Sequence, residues 1–449
     1  MLKRITSRNL DSIQNEAFRA HAAMYADIER DFLEQVGSFG LPFAEPAPGF
    51  DDTAPSNPVV AAAIECLAPQ GLHADNNGHS LWVNRVSPAC ETCRLGLRTE
   101  TFLTSTQCPR HCFFCFNPNQ EDYEFYLTHA RDVVAELEAR NDQGVRYDDL
   151  ALTGGEPLLH KELTLAFFQR ARELYPEAYT RLYTCGAGLD VATLEALRDA
   201  GLSEIRFSIK TDDPAALQES VFEKIALAKD YIPHVMVEMP VMPDERELME
   251  NILLRLDAIG IDGINLLELC FPLHNAEEFA RRGLRLKARP YEVLYNYFYA
   301  GGLPIAGSEE ACLDLLAFAL DRGLTLGVHY CSLENKFTGQ IYLQNKPYEN
   351  AFAGYEMSPR DHFLKAAVAF GEDVEPVRAV LDDLGERNYQ ILPDPQRLVF
   401  PLKRVAALAQ QGTAAELGMS YAVVEEHDGE PALREVRVDL VVPGEEGGR

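Results

Sequence analysis

The feature that most constrains the fold is an alternation that begins near residue 100 and runs for more than two hundred residues. Short β-rich runs at Thr101–Ser105, Asp149–Thr153, Thr180–Thr184, Glu204–Ile209, His234–Val241, Gly263–Leu269 and Thr325–Tyr330 are separated by amphipathic stretches such as THARDVVAELEAR, HKELTLAFFQRARELY and ERELMENILLRLDAIG. Strands alternating with helices of this length imply parallel βαβ units. Six or seven consecutive units fit an open doubly wound sheet or a full or partial (β/α) barrel, and in each case chemistry belongs at the carboxyl ends of the strands.

The flanks read differently. Ile13, Phe18, Met24, Ile28 and Phe32 predict an amphipathic helix over Ser12–Val36, and a Pro-rich loop follows. A second helix is expected from Asn57 and Pro58 through Leu67. After residue 336 an aromatic-rich stretch from Tyr342 to Tyr355 reads as packing. Helices are expected around Pro376–Leu384 and Leu402–Ala409, and then two strands, MSYAVVEEH and LREVRVDLVV, before a GEEGGR tail. The expected organisation is a helical and irregular segment over 1–99, a barrel over 100–335 and a small α+β appendage over 336–449.

Lys and Arg number 41 against 70 Asp and Glu, a formal net charge of −29. Such a surface repels phosphate backbones and anionic lipid, so neither nucleic acid nor a membrane surface is an expected partner. No apolar run reaches the roughly 18 residues of a membrane span, and the first residues lack a secretory pattern. A cytoplasmic location is therefore expected, where the ten cysteines stay reduced and their spacing must explain them.

Cys108-Pro-Arg-His-Cys112-Phe-Phe-Cys115 follows directly on the first strand of the alternation. Three thiolates in one loop need a cation between them. Zinc would take a fourth ligand, and none sits at a C-x2-4-C spacing; His111 adjoins Cys112 too closely for easy tetrahedral chelation. Thiolates are the usual holders of iron–sulfur clusters, and three of them leave one iron of a four-iron cluster open to a small molecule.

The triplet, with Phe114 before its last cysteine, resembles the signature of the radical SAM superfamily. The resemblance extends to Thr153-Gly154-Gly155-Glu156-Pro157 at the end of the second strand, one βα unit later. It covers residues 100–335 and implies a partial (β/α)6 barrel. The implied cofactors are a [4Fe–4S] cluster on Cys108, Cys112 and Cys115 and S-adenosylmethionine (SAM), cleaved reductively to methionine and a 5′-deoxyadenosyl radical. Phe114, Thr153, Gly154, Gly155, Glu156 and Pro157 would surround SAM, with Glu156 facing its ammonium. Ser208 and Lys210 at the fourth strand end would meet its ribose or carboxylate. Thr184-Cys185-Gly186 stands where the family often has Thr-Asn-Gly, and Met239-Pro240 and Asn265–Glu268 end the next strands.

Within the superfamily, the order of motifs is similar to a group described as related to pyruvate formate-lyase activating enzyme, a description that carries no substrate. A peptide or protein substrate is expected, with a small molecule as the other option. Activation of a glycyl-radical enzyme and radical C-methylation are the alternatives, and a flavodoxin or ferredoxin would deliver the electron. Glu268 and Cys331 are the expected catalytic residues, Cys331 as a hydrogen-atom donor. Cys90-Glu-Thr-Cys93 is a C-x2-C knuckle that needs further ligands, for which Cys331, Cys270 and His329 are candidates. The second metal would be zinc, iron or a cluster. Cys66 and Cys312, on apolar helices, read as buried free thiols.

Overall fold

The computed structural model describes residues 2–46, 58–296 and 301–442. The expected start of the second helix at Asn57, most of the Pro-rich loop and the GEEGGR tail lie outside the described residues. The chain divides into two compact units, one of Val59–Lys287 with Phe298–Gly339, the other of Met1–Pro58, Ala288–Tyr297 and Gln340–Arg449. Among the described residues no helix is long and apolar enough to cross a membrane.

The first unit is the barrel. Its parallel strands are β1 (Thr99–Leu103), β2 (Asp149–Thr153), β3 (Tyr179–Thr184), β4 (Glu204–Phe207), β5 (His234–Val241), β6 (Gly263–Glu268) and β7 (Gly327–Cys331), each paired with the next in chain order. A hairpin of His73–Asp75 and Ser80–Val83 adds two antiparallel strands outside β7, making a nine-stranded sheet. The sheet does not close, because the His73–Asp75 strand and β1 remain its edges. The partial barrel expected from the alternation is present, one parallel strand larger than a (β/α)6 unit.

Side chains alternate across each strand. Leu150, Leu152, Leu182, Ile205, Phe207, Val235, Val237, Ile264, Leu266 and Val328 point to one face and join the helices in a continuous apolar core. The intervening positions carry Asp149, Arg181, Glu204, Arg206, Glu238, Asn265 and His329, so the opposite face is charged and polar. These charges are paired. Arg181 meets Asp149 at 2.8 Å, and Arg206 bridges Glu204 and Glu238, the latter at 2.6 Å. Ser87 Oγ and Tyr179 Oη donate to Glu204 at 2.6 and 2.9 Å, and Asn265 Nδ2 donates to Glu238 at 2.7 Å.

The second unit is built on a seven-stranded sheet whose centre is the Leu364–Phe370 strand flanked by Leu417–His427 and Gln396–Phe400. Leu364, Ala366, Val368 and Phe370 face the Glu16–Gly37 helix, where Phe18 stacks on Phe370 at 4.8 Å. Ala367 and Ala369 face the Val374–Asp383 helix through Val377 and Leu381. Leu2–Lys3 pairs with the Glu430–Val441 strand. The expected boundaries at 99 and 335 therefore differ from the structure. Residues 59–99 belong to the barrel unit, and the N-terminal helix belongs to the C-terminal sheet. An amphipathic stripe shows that a face is buried, not which distant element buries it.

Candidate active site

The cysteine loop and the Gly-Gly-Glu turn are joined by backbone hydrogen bonds that prolong the β1–β2 ladder. Thr104 N donates to Thr153 O at 2.9 Å, Gly155 N to Ser105 O at 2.7 Å and Glu156 N to Gln107 O at 2.7 Å. Both glycines are required by this approach. A Cβ on Gly154 would lie 2.6 Å from Ser105 O, and one on Gly155 would overlap the Gln107 carbonyl. The turn thus meets Gln107, the residue next to Cys108, with no side chain intervening.

The loop itself turns tightly, Cys115 N donating to Cys112 O at 3.1 Å, while Arg110 N points at Cys108 Sγ from 3.4 Å. The segment after β6 holds its far side: His274 Nε2 lies 2.8 Å from Cys115 O and Asn275 Nδ2 donates to Phe113 O at 3.0 Å. Asn117 Nδ2 reaches Gly154 O at 3.1 Å. The loop residue before the last cysteine, Phe114, sits edge-on to Phe113 at 5.2 Å. All three thiols of the triplet are half-buried and unbridged. Burial pushes the Cys112 thiol up to about 11, against the pull of Lys210 beside it. Lys210 is tethered near Asp212 and Asp213, and Asp213 also binds Arg110.

Thiols with backbone and cationic donors aimed at them suit a thiolate-held iron–sulfur cluster. Cys108, Cys112 and Cys115 would hold it, with Arg110 and Lys210 offsetting its charge; with SAM bound, such a centre supplies the 5′-deoxyadenosyl radical. Ser208 is exposed at the end of β4, its N–H donating to Thr184 O at 3.0 Å. Pro157 is buried, and Thr153 stands half-buried at the end of β2.

Glu156 is engaged within the protein. Its side chain is fully buried and accepts from Leu158 N at 3.0 Å, Thr184 Oγ1 at 2.7 Å and Cys185 N at 2.6 Å. Burial, reinforced by Cys185, pushes its carboxyl up to about 8. The carboxylate ties the end of β2 to the end of β3. Cys185 was not among the expected site residues, yet its thiol neighbours both Glu156 and Cys108. Its place in a Thr-Cys-Gly strand end was the available signal.

Glu268 is likewise engaged by its neighbours. It is buried, accepts from Leu333 N at 2.9 Å and pairs with Lys287 at 3.3 Å, which meets Glu309 at 2.7 Å. Burial alone would lower the Lys287 ammonium, but the two carboxylates outweigh it and raise it. Glu268 therefore fixes the end of β6.

Cys331 is buried at the end of β7, where Asn335 Nδ2 donates to its sulfur at 3.3 Å. His329 Nε2 is engaged with Ser80 Oγ at 2.9 Å. Among the described residues, no three of Cys90, Cys93, Cys270, Cys331 and His329 bring ligand atoms within 4.8 Å of one another, so a single-ion site is not assembled. Cys312 is buried as expected, whereas Cys66 is exposed, because it lies on the outer side of its helix.

Comparison with known proteins adds the family. A model described as the radical SAM superfamily matches residues 102–256. A protein of Methanocaldococcus jannaschii named as a glycyl-radical enzyme activating enzyme is 26% identical over 327 residues, 68% of this chain and 80% of the relative. The PqqA peptide cyclase of Rhizobium meliloti is 35% identical over 114 residues, 24% of this chain and 28% of the cyclase. Among solved structures, Streptococcus suis SuiB bound to precursor peptide SuiA aligns at 14% identity over 75% of this chain and 67% of that chain, with a TM-score of 0.37. The family match begins within β1, takes in the triplet and the Gly-Gly-Glu-Pro turn, and ends in the Arg246–Ile259 helix. Residues 102–256 are a radical SAM domain, of the superfamily that uses a [4Fe–4S] cluster and S-adenosylmethionine.

Proposed function

We propose that this enzyme directs its radical at a peptide or protein. The observation that carries the reading is the pair of relatives whose shared segments include one named for a peptide and one named for activating an enzyme. The strongly acidic chain, at −29, suits a basic polypeptide better than a nucleic acid or an anionic lipid surface. Within that reading a flavodoxin or ferredoxin delivers the reducing electron, and a second metal sits on thiols of the barrel unit.

Direct activation of a glycyl-radical enzyme is the second reading. It is favoured by the extent of the match to the archaeal relative, 80% of whose length this chain covers. The test is anaerobic turnover with reductant, SAM and perdeuterated peptides encoded beside the gene. Transfer of deuterium into 5′-deoxyadenosine, with a mass change in the peptide, supports peptide modification. A glycine-centred radical on a partner enzyme, seen by electron paramagnetic resonance, supports activation. S-adenosylhomocysteine with a methylated small molecule, the peptide and partner enzyme staying unchanged, overturns both.

A further inference from the structure

Four thiols outside the triplet come from three separate segments of the barrel unit. Cys90 and Cys93 lie three residues apart on the Pro88–Leu95 helix, a spacing that puts both on one face. Cys270 opens the short strand Cys270–Phe271 just after β6, and Cys331 ends β7, the neighbouring strand. None is in a disulfide.

Two of these sulfurs accept a side-chain hydrogen bond. Arg206 Nη2, on the polar face of the sheet, donates to Cys90 Sγ at 3.4 Å, and Asn335 Nδ2 donates to Cys331 Sγ at 3.3 Å. Lys336 has Cys331, Glu238, Cys93 and Cys270 as its electrostatic partners, and Cys331 in turn interacts with Cys93 and Cys90. One ammonium is thus common to three of the sulfurs, and the fourth is linked to them through Cys331. The wall beside Cys270 is glycine. A Cβ on Gly302 would lie 2.9 Å from its sulfur and one on Gly301 would lie 3.9 Å away, so side chains there would narrow the space in front of the thiol.

We infer that Cys90, Cys93, Cys270 and Cys331 hold an iron–sulfur cluster of their own, separate from the one on the triplet. The inference deepens the second-metal reading above and does not depend on the substrate. Zinc would draw its four sulfurs around one ion, yet no three of these come within 4.8 Å of one another. A cluster spreads its ligands over two or more irons and does not need three sulfurs so close together. A cluster held by four thiolates is anionic, and Arg206 and Lys336 supply the opposing charge. Four protein ligands also leave no iron open, so this centre exchanges electrons and does not anchor substrate.

The test uses the full chain carrying Cys108→Ala, Cys112→Ala and Cys115→Ala, reconstituted anaerobically with iron and sulfide and then desalted. About two or about four irons per chain, with matching labile sulfide and a cluster signature by Mössbauer spectroscopy, are expected. Adding Cys90→Ser and Cys331→Ser to that background should remove them while the circular dichroism stays that of the parent. A metal-free parent, one zinc or iron without sulfide, or iron that survives the added substitutions would overturn the assignment. Absence of SAM cleavage in the wild-type chain would instead strike the radical reading and leave this count untouched.

Discussion

Gly155→Ala probes the joint between the two motifs without touching a thiol. The new methyl would occupy the position of the Gln107 carbonyl, backbone that cannot swing aside as a side chain can. The turn must retreat, and the hydrogen bonds Gly155 N to Ser105 O and Glu156 N to Gln107 O, both 2.7 Å, are lost together. A buried donor left without an acceptor costs about 1–3 kcal/mol, so the pair gives roughly 2–6 kcal/mol, most of it felt by the segment leading into Cys108. The expected result is a lower thermal midpoint of the apo chain, reduced iron after anaerobic reconstitution and SAM binding weakened by at least about tenfold, the equivalent of 1.4 kcal/mol. Iron content, SAM affinity and melting temperature all matching wild type would refute the reasoning. Gly37→Ala is the contrast. No atom lies within 4 Å of its added methyl, and at a helix end it should be neutral or stabilising by up to about 1 kcal/mol.

Replacing Cys108, Cys112 and Cys115 by alanine should abolish formation of 5′-deoxyadenosine, measured by mass spectrometry after incubation with SAM and dithionite; any residual product at wild-type rate would displace the cluster from this loop. Glu156→Ala strips Leu158 N, Thr184 Oγ1 and Cys185 N of their acceptor and should destabilise the apo chain by about 1–3 kcal/mol in urea titrations, whereas weakened SAM binding at unchanged stability would return the carboxylate to the ammonium. Arg206→Met leaves Glu204 and Glu238 without their shared cation and should cost about 3–5 kcal/mol; an unaltered denaturation midpoint would show the pair to be dispensable. Burial raises the Glu435 carboxyl, but the His21 imidazole at 2.6 Å and the Ser420 hydroxyl outweigh it and hold it below its ordinary 4.5. That stabilisation is full above pH 4.5 and is lost as pH falls through the depressed value, so Glu435→Gln should flatten the acid limb of the stability curve; parallel limbs would contradict it.

The succession of barrel strands was legible because hydrophobic alternation is local, and each βα unit carries its own signal. Strand starts and ends moved by one or two residues, as at Thr99–Leu103 and Gly327–Cys331. The charged inner face was written in the same runs, Glu204 and Arg206 alternating with Ile205 and Phe207, but reading it required knowing which face the helices cover. The triplet and the Gly-Gly-Glu-Pro turn were found by spacing. What spacing could not give was the direction of a side chain. Glu156 and Glu268 stand at strand ends as expected, and both are consumed by neighbours contributed from other loops. Long-range partnerships were invisible for the same reason, and so the N-terminal helix was left without its sheet.

That last partnership sets an order of assembly during synthesis. Ile5 N donates to Asp439 Oδ1 across 434 residues of sequence, and Leu2 pairs with Val441. At about 5–20 residues per second a ribosome needs roughly 20–90 s to cover that distance. Until the Leu364–Phe370 strand appears, the apolar stripe of the first helix, with Phe18 and Ala22, has no sheet to cover it, and all seven parallel strands of the barrel unit emerge before that. The chain therefore makes its barrel unit before the other unit can close, and an early helix must be kept from misassociating until its sheet appears.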